Sequence, residues 1–461
     1  MELKDIRIAY FLGVGGIGMS AIARYFSSRG IVVVGYDKTE TSLTRKLSDE
    51  GMFIHYLDDP EFVQTLNLSS KDTLVVLTPA IPKDHHEWAW FKDKGFNILK
   101  RSEVLGILSR AYKTIGIAGT HGKTTTSTLV AHILTQSAVG CNAFLGGISS
   151  NYQSNLLLHN HGEDAKPQDQ FTVVEADEFD RSFLTLDPYL SVITSTDADH
   201  LDIYGEHSAM QVSFLEYSNR LVSGGKLFIK HGLDLIEKLS VDFETYGLNE
   251  AAQNYAYDIR INQDANTFNL NLNGKVILDV SLGIPGMHNI ENAVAASAIA
   301  IAAGVGHDEL RSGLLSFKGV KRRFEYIIKI PQRIFIDDYA HHPEELKAIL
   351  NSVRQMYPNH KLVVAFQPHL YSRTRDFADG FAASLSLADQ LYLLDIYPAR
   401  ELPIEGVSSA MLLKSITCKE KELCSKEDLI LKVGKSRPAL FLTLGAGDID
   451  ALVEPLKLVL A

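Results

Sequence analysis

Gly119-Thr120-His121-Gly122-Lys123-Thr124-Thr125 gathers the residue types that hold a phosphate chain. Glycines let backbone N–H groups approach an anion, and the positive end of a following helix adds to their pull. Lys123 can reach the outer phosphates, and the Thr124 hydroxyl can ligate Mg²⁺. The common signature G-x-x-x-x-G-K-[ST] would place its first glycine at position 117, where this chain has Ile117, so the loop is shorter than usual. Chemistry of this kind needs a strand before the loop and a helix after it. The apolar residues 114–118 and the periodic Leu129, Val130, Ile133 and Leu134 supply both.

A phosphate loop of this type works with carboxylates placed at the end of a neighbouring strand. Phe171-Thr172-Val173-Val174-Glu175-Ala176-Asp177-Glu178 has that form. If strand alternation runs on, Glu175 and Asp177 share a face and Glu178 points away. A further strand, 190–195, leads into Asp197-Ala198-Asp199-His200, and a parallel sheet would bring His200 near the phosphates. On its own a lone histidine reads equally as a structural residue. Asn289 and Asn292 open an alanine-rich helix and would lie on one side of its first turn. Their amides suit a purine edge, while Asn289 as a helix cap is an equal reading.

Earlier in the chain, residues 8–12 read as a buried strand running into Gly13-Val14-Gly15-Gly16-Ile17-Gly18 and then a helix. This satisfies G-x-G-x-x-G in its proper context. Asp37 ends the next strand 19 residues after Gly18, where a ribose-binding carboxylate would fall, although an ordinary turn acid fits too. The strand at 73–77 ends at Thr78-Pro79, again an edge where open α/β sheets bind ligands. The physics of the motif concerns a pyrophosphate on a helix N-terminus, so any nucleotide diphosphate fits and nicotinamide is not specified.

The last segment repeats the α/β alternation. Strands at 333–339, 361–366, 391–395 and 439–444 alternate with helical stretches. Arg373 and Arg375 follow one strand end and suit a carboxylate or phosphate, which the guanidinium fork grips with two bonds. His341 and His342 lack a third ligand at metal spacing.

At 461 residues the chain has room for about three domains. A net charge of −11 argues against a broad grip on nucleic acid. Three cysteines, Cys141, Cys418 and Cys424, without metal spacing suit a reducing compartment. No apolar run reaches membrane-spanning length and the N-terminus has no signal-peptide pattern. These features predict a cytoplasmic protein without membrane insertion.

Taken together the motifs resemble one family, the ATP-dependent Mur ligases of peptidoglycan synthesis. The resemblance rests on Gly15-Gly16-Ile17-Gly18-Met19-Ser20, the phosphate loop, Glu175-Ala176-Asp177-Glu178, Asp199-His200 and His288-Asn289-Ile290-Glu291-Asn292. It continues through Arg322-Arg323-Phe324, Asp337-Asp338-Tyr339-Ala340-His341-His342-Pro343 and Phe366-Gln367-Pro368-His369. It implies an α/β protein of three domains. Residues 1–110 would be a Rossmann-like domain for a UDP-sugar. Residues 111–318 would be a P-loop ATPase-like domain with a mainly parallel sheet. Residues 319–461 would be a Rossmann-like domain for the incoming amino acid.

The resemblance also implies a reaction, ATP-driven joining of L-alanine to the carboxylate of UDP-N-acetylmuramate, with Mg²⁺, by a monomer or homodimer. Gly15, Gly16, Ile17 and Gly18 would hold the UDP pyrophosphate, with Asp37 and Thr78 nearby. Gly119, Thr120, His121, Gly122, Lys123, Thr124 and Thr125 would hold ATP. Thr124, Glu175 and His200 would be the metal ligands, and Asn289 and Asn292 would meet adenine. Arg323 and Asp338 would approach the nucleotide, while Tyr339, His341 and Arg373 would line the amino-acid pocket. Three departures stand out. Leu370 replaces an arginine common in relatives, Thr78-Pro79 replaces Ser-Ser, and no lysine near Ser182-Phe183 matches the carbamylated lysine of sister ligases. A ligase that recycles a preformed tripeptide onto the same sugar is the near alternative, and a nicotinamide-dependent oxidoreductase the distant one.

Overall fold

Short runs of aliphatic and β-branched residues, flanked by glycine turns and amphipathic stretches, make strands buried on both faces in this chain. A computed structural model describes residues 5–159, 166–199, 201–261, 266–399 and 401–461, with the side chains of Leu201 and Asp202 excepted. The chain forms two compact units, Met1–Tyr246 with Ala295–Gly313, and Gly247–Val294 with Leu314–Ala461.

The first unit opens with a five-stranded parallel sheet. Its strands lie in the order Phe53–His55, Val32–Tyr36, Ile8–Leu12, Thr73–Leu77, Asn97–Lys100. Alternate residues of the central strand serve two cores. Ala9 and Phe11 pack with Met19, Ile22 and Phe26 of helix Ile17–Ser28. Tyr10 and Leu12 pack on the other side with Val34, Val75 and Phe91. Sequence order reverses beside Ile8–Leu12, which makes its C-terminal end a crevice of the kind that binds nucleotides.

A second sheet of the same unit places strand Lys113–Ala118 between Leu190–Ile193 and Phe171–Glu175, all parallel. Asn142–Ser149 pairs parallel to Phe171–Glu175, and Lys226–Lys230 extends the far side. Helix Lys123–Thr135 is buried along almost its whole length. That burial suits a chain of Thr, Ala, Leu, Val and Ile with no charge beyond Lys123.

The second unit contains an antiparallel meander, Asn254–Ile261, Asn266–Leu272 and Lys275–Leu282. Its six-stranded sheet runs Glu325–Ile330, Arg333–Asp338, Leu440–Leu444, Leu362–Phe366, Gln390–Leu393, Glu420–Leu423, parallel except for the first pair. Helix Pro343–Met356 covers one face with Leu346, Leu350 and Val353. Helices Lys426–Ser436 and Val453–Leu460 cover the other with Leu429, Val433 and Leu456. The α/β class and the mainly parallel sheets match expectation. Among the described residues no helix is long and apolar enough to cross a membrane.

Candidate functional site

Strand Ile8–Leu12 ends at Gly13, whose φ of +89° turns the chain toward helix Ile17–Ser28. A Cβ at Gly13 would come within 2.4 Å of Thr78, so Thr78 sits directly against this turn. Gly16 is the N-cap residue, and it brings no side-chain cap and no acid to the first turn. The positive end of the helix therefore has no counter-charge of its own. Asp37 lies beside the turn, and its Oδ2 accepts the Gly15 N–H at 2.8 Å. Gly15, Gly16, Ile17, Gly18, Asp37 and Thr78 thus share one crevice, as their motif requires. Asp37 also accepts from the Thr39 N–H, so it shapes the turn as well as facing the crevice.

Arg101, which the sequence reading passed over, belongs to the same place. A Cβ on Gly18 would meet its Nη1 at 2.3 Å, so the guanidinium lies against the helix's first turn. Nη2 donates to Asp177 Oδ2 at 3.3 Å. Its position at the start of a helix after strand Asn97–Lys100, another strand end of this sheet, was the available clue.

In the phosphate loop, Gly119 and Gly122 take φ of +129° and +81°. A Cβ on Gly119 would strike Thr194 Oγ1 at 2.1 Å. The end of the neighbouring strand clamps this loop. Ser195 O accepts the Thr120 N–H, and Ser195 Oγ accepts the His121 N–H at 2.7 Å. Thr194 Oγ1 donates to the His121 carbonyl. Gly122 caps helix Lys123–Thr135 without a side-chain bond, which leaves the first-turn amides of Lys123, Thr124 and Thr125 directed at the loop. The polar run after Ile193 was the signal for this clamp.

The Thr124 hydroxyl donates to Glu175 Oε1 at 3.2 Å. A hydroxyl and a carboxylate side by side form a hard-oxygen pair, which fits Mg²⁺ carrying its remaining ligands as waters and phosphate oxygens. Among the described residues no group of three His, Cys, Asp or Glu is placed to hold a metal ion by itself. His200 lies outside the described residues.

The three acids do not follow strand alternation, because the strand stops at Glu175. Beyond it Asp177 turns to Arg101, and Glu178 is fully buried and ion-paired with Lys123 Nζ at 2.7 Å. Burial alone would lower the Lys123 pKa, but Glu178, Asp177 and Glu175 together hold it above the usual lysine value.

Helix Met287–Ala302 starts two residues before Asn289, so Asn289 is not its cap. Asn289 Nδ2 instead donates back to Pro285 O at 2.5 Å, and Asn292 Nδ2 lies 3.5 Å from Asn289 Oδ1. The two amides do share one side of the first turn.

The Arg322-Arg323-Phe324 turn is built, not merely solvated. Arg322 and Phe324 have φ of 60° and 49°. Arg322 Nε donates to buried Asp337 Oδ2 at 3.0 Å and Nη2 to Gly445 O at 2.6 Å. The Asp338 carboxylate accepts the Phe324 N–H at 2.6 Å and the Ala340 N–H at 2.7 Å. Burial raises its pKa to about 6 against the pull of Arg323. Arg323 lies 5.0 Å over the Tyr339 ring and 3.6 Å from Glu345. His341 packs edge-on to Tyr339 and its Nδ1 is 3.2 Å from Glu345 Oε2. Arg323, Asp338, Tyr339 and His341 therefore form one polar cluster at the end of strand Arg333–Asp338. His369 lies 6.2 Å from His341, ring to ring, and Arg373 is buried in the helix that follows it. Arg375 is exposed and paired with Asp376.

Comparison with known proteins covers nearly the whole chain. Residues 9–113 match the model described as Mur ligase family, catalytic domain; residues 117–300 match Mur ligase middle domain; residues 322–446 match Mur ligase, glutamate ligase domain. UDP-N-acetylmuramate–L-alanine ligase of Parabacteroides distasonis is 49% identical, aligning 100% of this chain with 98% of that protein. The same enzyme of Christiangramia forsetii is 47% identical over 99% and 98%. Among solved structures, the UDP-N-acetylmuramate–alanine ligase of Thermotoga maritima superposes with a TM-score of 0.79 at 28% identity, covering 97% of both chains. A murein peptide ligase of Psychrobacter arcticus reaches 0.72 at 22% identity over 98% of both, which is a likeness of fold.

Proposed function

This chain belongs to the Mur ligase family, and from that premise we propose that it joins L-alanine to the carboxylate of UDP-N-acetylmuramate at the expense of ATP. The observation that carries this reading is the 49% identity, end to end, with a relative of that name. The recycling of a tripeptide onto the same sugar is less well supported, since the murein peptide ligase is 22% identical.

A carboxylate is a poor electrophile, so the reaction begins by activating it. The γ-phosphoryl group of ATP passes to the lactyl carboxylate, giving an acyl phosphate and ADP. The amine of L-alanine then attacks the acyl carbon, and the tetrahedral intermediate expels phosphate as the amide forms. Phosphoryl transfer of this kind depends on position and charge neutralisation.

The helix start at Gly15, Gly16, Ile17 and Gly18 would hold the UDP pyrophosphate, beside Asp37 and Thr78. Lys123 and the amides of the Gly119–Gly122 turn would hold the ATP phosphates, with Asn289 and Asn292 on the adenine. Thr124 and Glu175, with His200, would hold Mg²⁺. When bound, Mg²⁺ would supply charge neutralisation for phosphoryl transfer. Arg323 and Asp338 would serve the nucleotide, and Tyr339, His341 and Arg373 the amino acid. On this reading the domains are 1–110, 111–318 and 319–461, and the enzyme works in the cytoplasm as a monomer or homodimer.

Phosphate release from ATP tests the proposal. It should require both UDP-N-acetylmuramate and L-alanine, and a tripeptide should not replace alanine. Turnover indifferent to alanine would overturn it.

A further inference from the structure

Glu178 is the one acid of its tract that reaches the phosphate-loop lysine. Lys123 Nζ donates to Glu178 Oε1 at 2.9 Å, to Glu178 Oε2 at 2.7 Å and to Gly119 O at 2.7 Å. An ammonium has three N–H donors, and these three acceptors take all of them. A phosphate oxygen that bonds this ammonium must therefore displace one of the three.

We propose that Glu178 is a positioning residue for Lys123, aiming its ammonium along the loop and competing with the nucleotide's phosphates for its donors. The inference rests on Lys123 taking the phosphates of ATP.

Two features give Glu178 this role. First, it is fixed. The residue is 0% exposed, the Tyr204 hydroxyl donates to its carbonyl at 2.6 Å, and the chain turns away through left-handed Asp180 and Arg181. A carboxylate held from behind sets where the lysine tip points. Second, it carries charge. Gly119 O is a neutral backbone acceptor, whereas Glu178 makes two charge-assisted bonds, the stronger kind. Separating Lys123 from it entirely would strip two charge-assisted bonds from a buried carboxylate, which is costly. The phosphate therefore takes one donor while Glu178 keeps another, and the carboxylate's charge also repels the phosphates. Glu178 weakens nucleotide binding and in return holds the lysine in line for transfer. Glu175 and Asp177, turned to Thr124 and Arg101, make no such contact.

Calorimetric titration of a non-hydrolysable ATP analogue with Mg²⁺ into wild type, K123A, E178Q and E178D tests this, alongside kcat and KM for ATP. E178Q should bind the analogue about tenfold tighter, one charge-assisted bond's worth, with KM lowered and kcat also lowered. E178D, which keeps the charge, should return both toward wild type. E178Q binding no tighter than wild type while K123A binds more weakly would overturn the inference. So would loss of folding in both Glu178 variants, which would make it scaffold. A wild type that does not bind the analogue, or a K123A that binds it unchanged, would instead overturn the assignment of the loop.

Discussion

Gly146 runs so close to the Glu175 carboxylate that a Cβ on it would lie 2.1 Å from Oε2. Gly146 belongs to strand Asn142–Ser149, which pairs with the strand that ends at Glu175. The obstructing atom is the tip of a flexible side chain, so G146A should fold with little loss of stability. It should instead push the carboxylate away from Thr124. We expect kcat to fall about 100-fold, the scale of losing a placed charge at phosphoryl transfer, with a higher Mg²⁺ requirement. Steady-state rates against Mg²⁺ concentration and a thermal melt check both halves.

Arg101 places a cation against the positive end of helix Ile17–Ser28, with Asp177 at 3.3 Å as its acidic neighbour. One carboxylate balances the guanidinium and leaves the helix end without a counter-charge, so the pair of positive groups favours a second anion there. R101A should therefore raise KM for UDP-N-acetylmuramate by about tenfold or more, the worth of a charge-assisted hydrogen bond, and leave KM for ATP near wild type. R101K should recover part of the loss, since the charge returns without the fork. A KM for ATP that rises equally would assign Arg101 to the nucleotide.

The limits of the sequence follow from which features are local. Glycine turns between an apolar run and a periodic segment are written in a few consecutive residues, so both strand–turn–helix loops were legible. The neighbourhood of Glu178 was not. Its direction depends on the strand ending at Glu175, a point that alternation cannot supply. Arg101 meets Asp177 across 76 positions, and Gly146 meets Glu175 only through sheet register. Asn289 was open between cap and ligand because Gly286, with φ +98°, starts the helix earlier than polarity suggested. The clamp of Thr194 and Ser195 on the loop needed the pairing of two strands.

A buried acid of helix His86–Asp93, bonded to Tyr10 of the first sheet, predicts a pH dependence of stability. Burial raises the Glu87 pKa to about 7, although Tyr10 and the Asp59 N–H both donate to it. Its folded pKa lies above the unfolded value of 4.5, so its contribution is full below pH 4.5 and is lost as pH rises to 7. The loss amounts to ~3 kcal/mol. His55 and His85, which burial shifts downward, act in the opposite sense as pH rises. The difference between wild type and E87Q isolates Glu87. Relative to wild type, E87Q should gain in melting temperature from pH 5 to pH 8, with the Tyr10 hydroxyl turning to His55 Nε2, 2.7 Å away. A constant difference across that range would remove Glu87 as the titrating group.

The two arginines after Gln367-Pro368-His369 should separate cleanly. Leu370 carries no charge and sits at φ 69°, its N–H bonded to Tyr397 O, so it shapes the turn and grips no carboxylate. Arg375 is exposed and already paired with Asp376 at 2.7 Å. A surface pair of this kind is worth little. Arg373 is 7% exposed, and it follows His369, whose ring stacks on Tyr397 and faces His341. Of the two, only Arg373 is withdrawn from bulk water, where a guanidinium fork binds a carboxylate best. R375A should therefore leave KM for L-alanine within about twofold of wild type. R373K should raise it about tenfold or more while KM for ATP and for UDP-N-acetylmuramate hold, because lysine keeps the charge and loses the two-pronged grip. The reverse ranking would move the amino-acid carboxylate to the exposed side of the helix, and equal losses would make both residues structural.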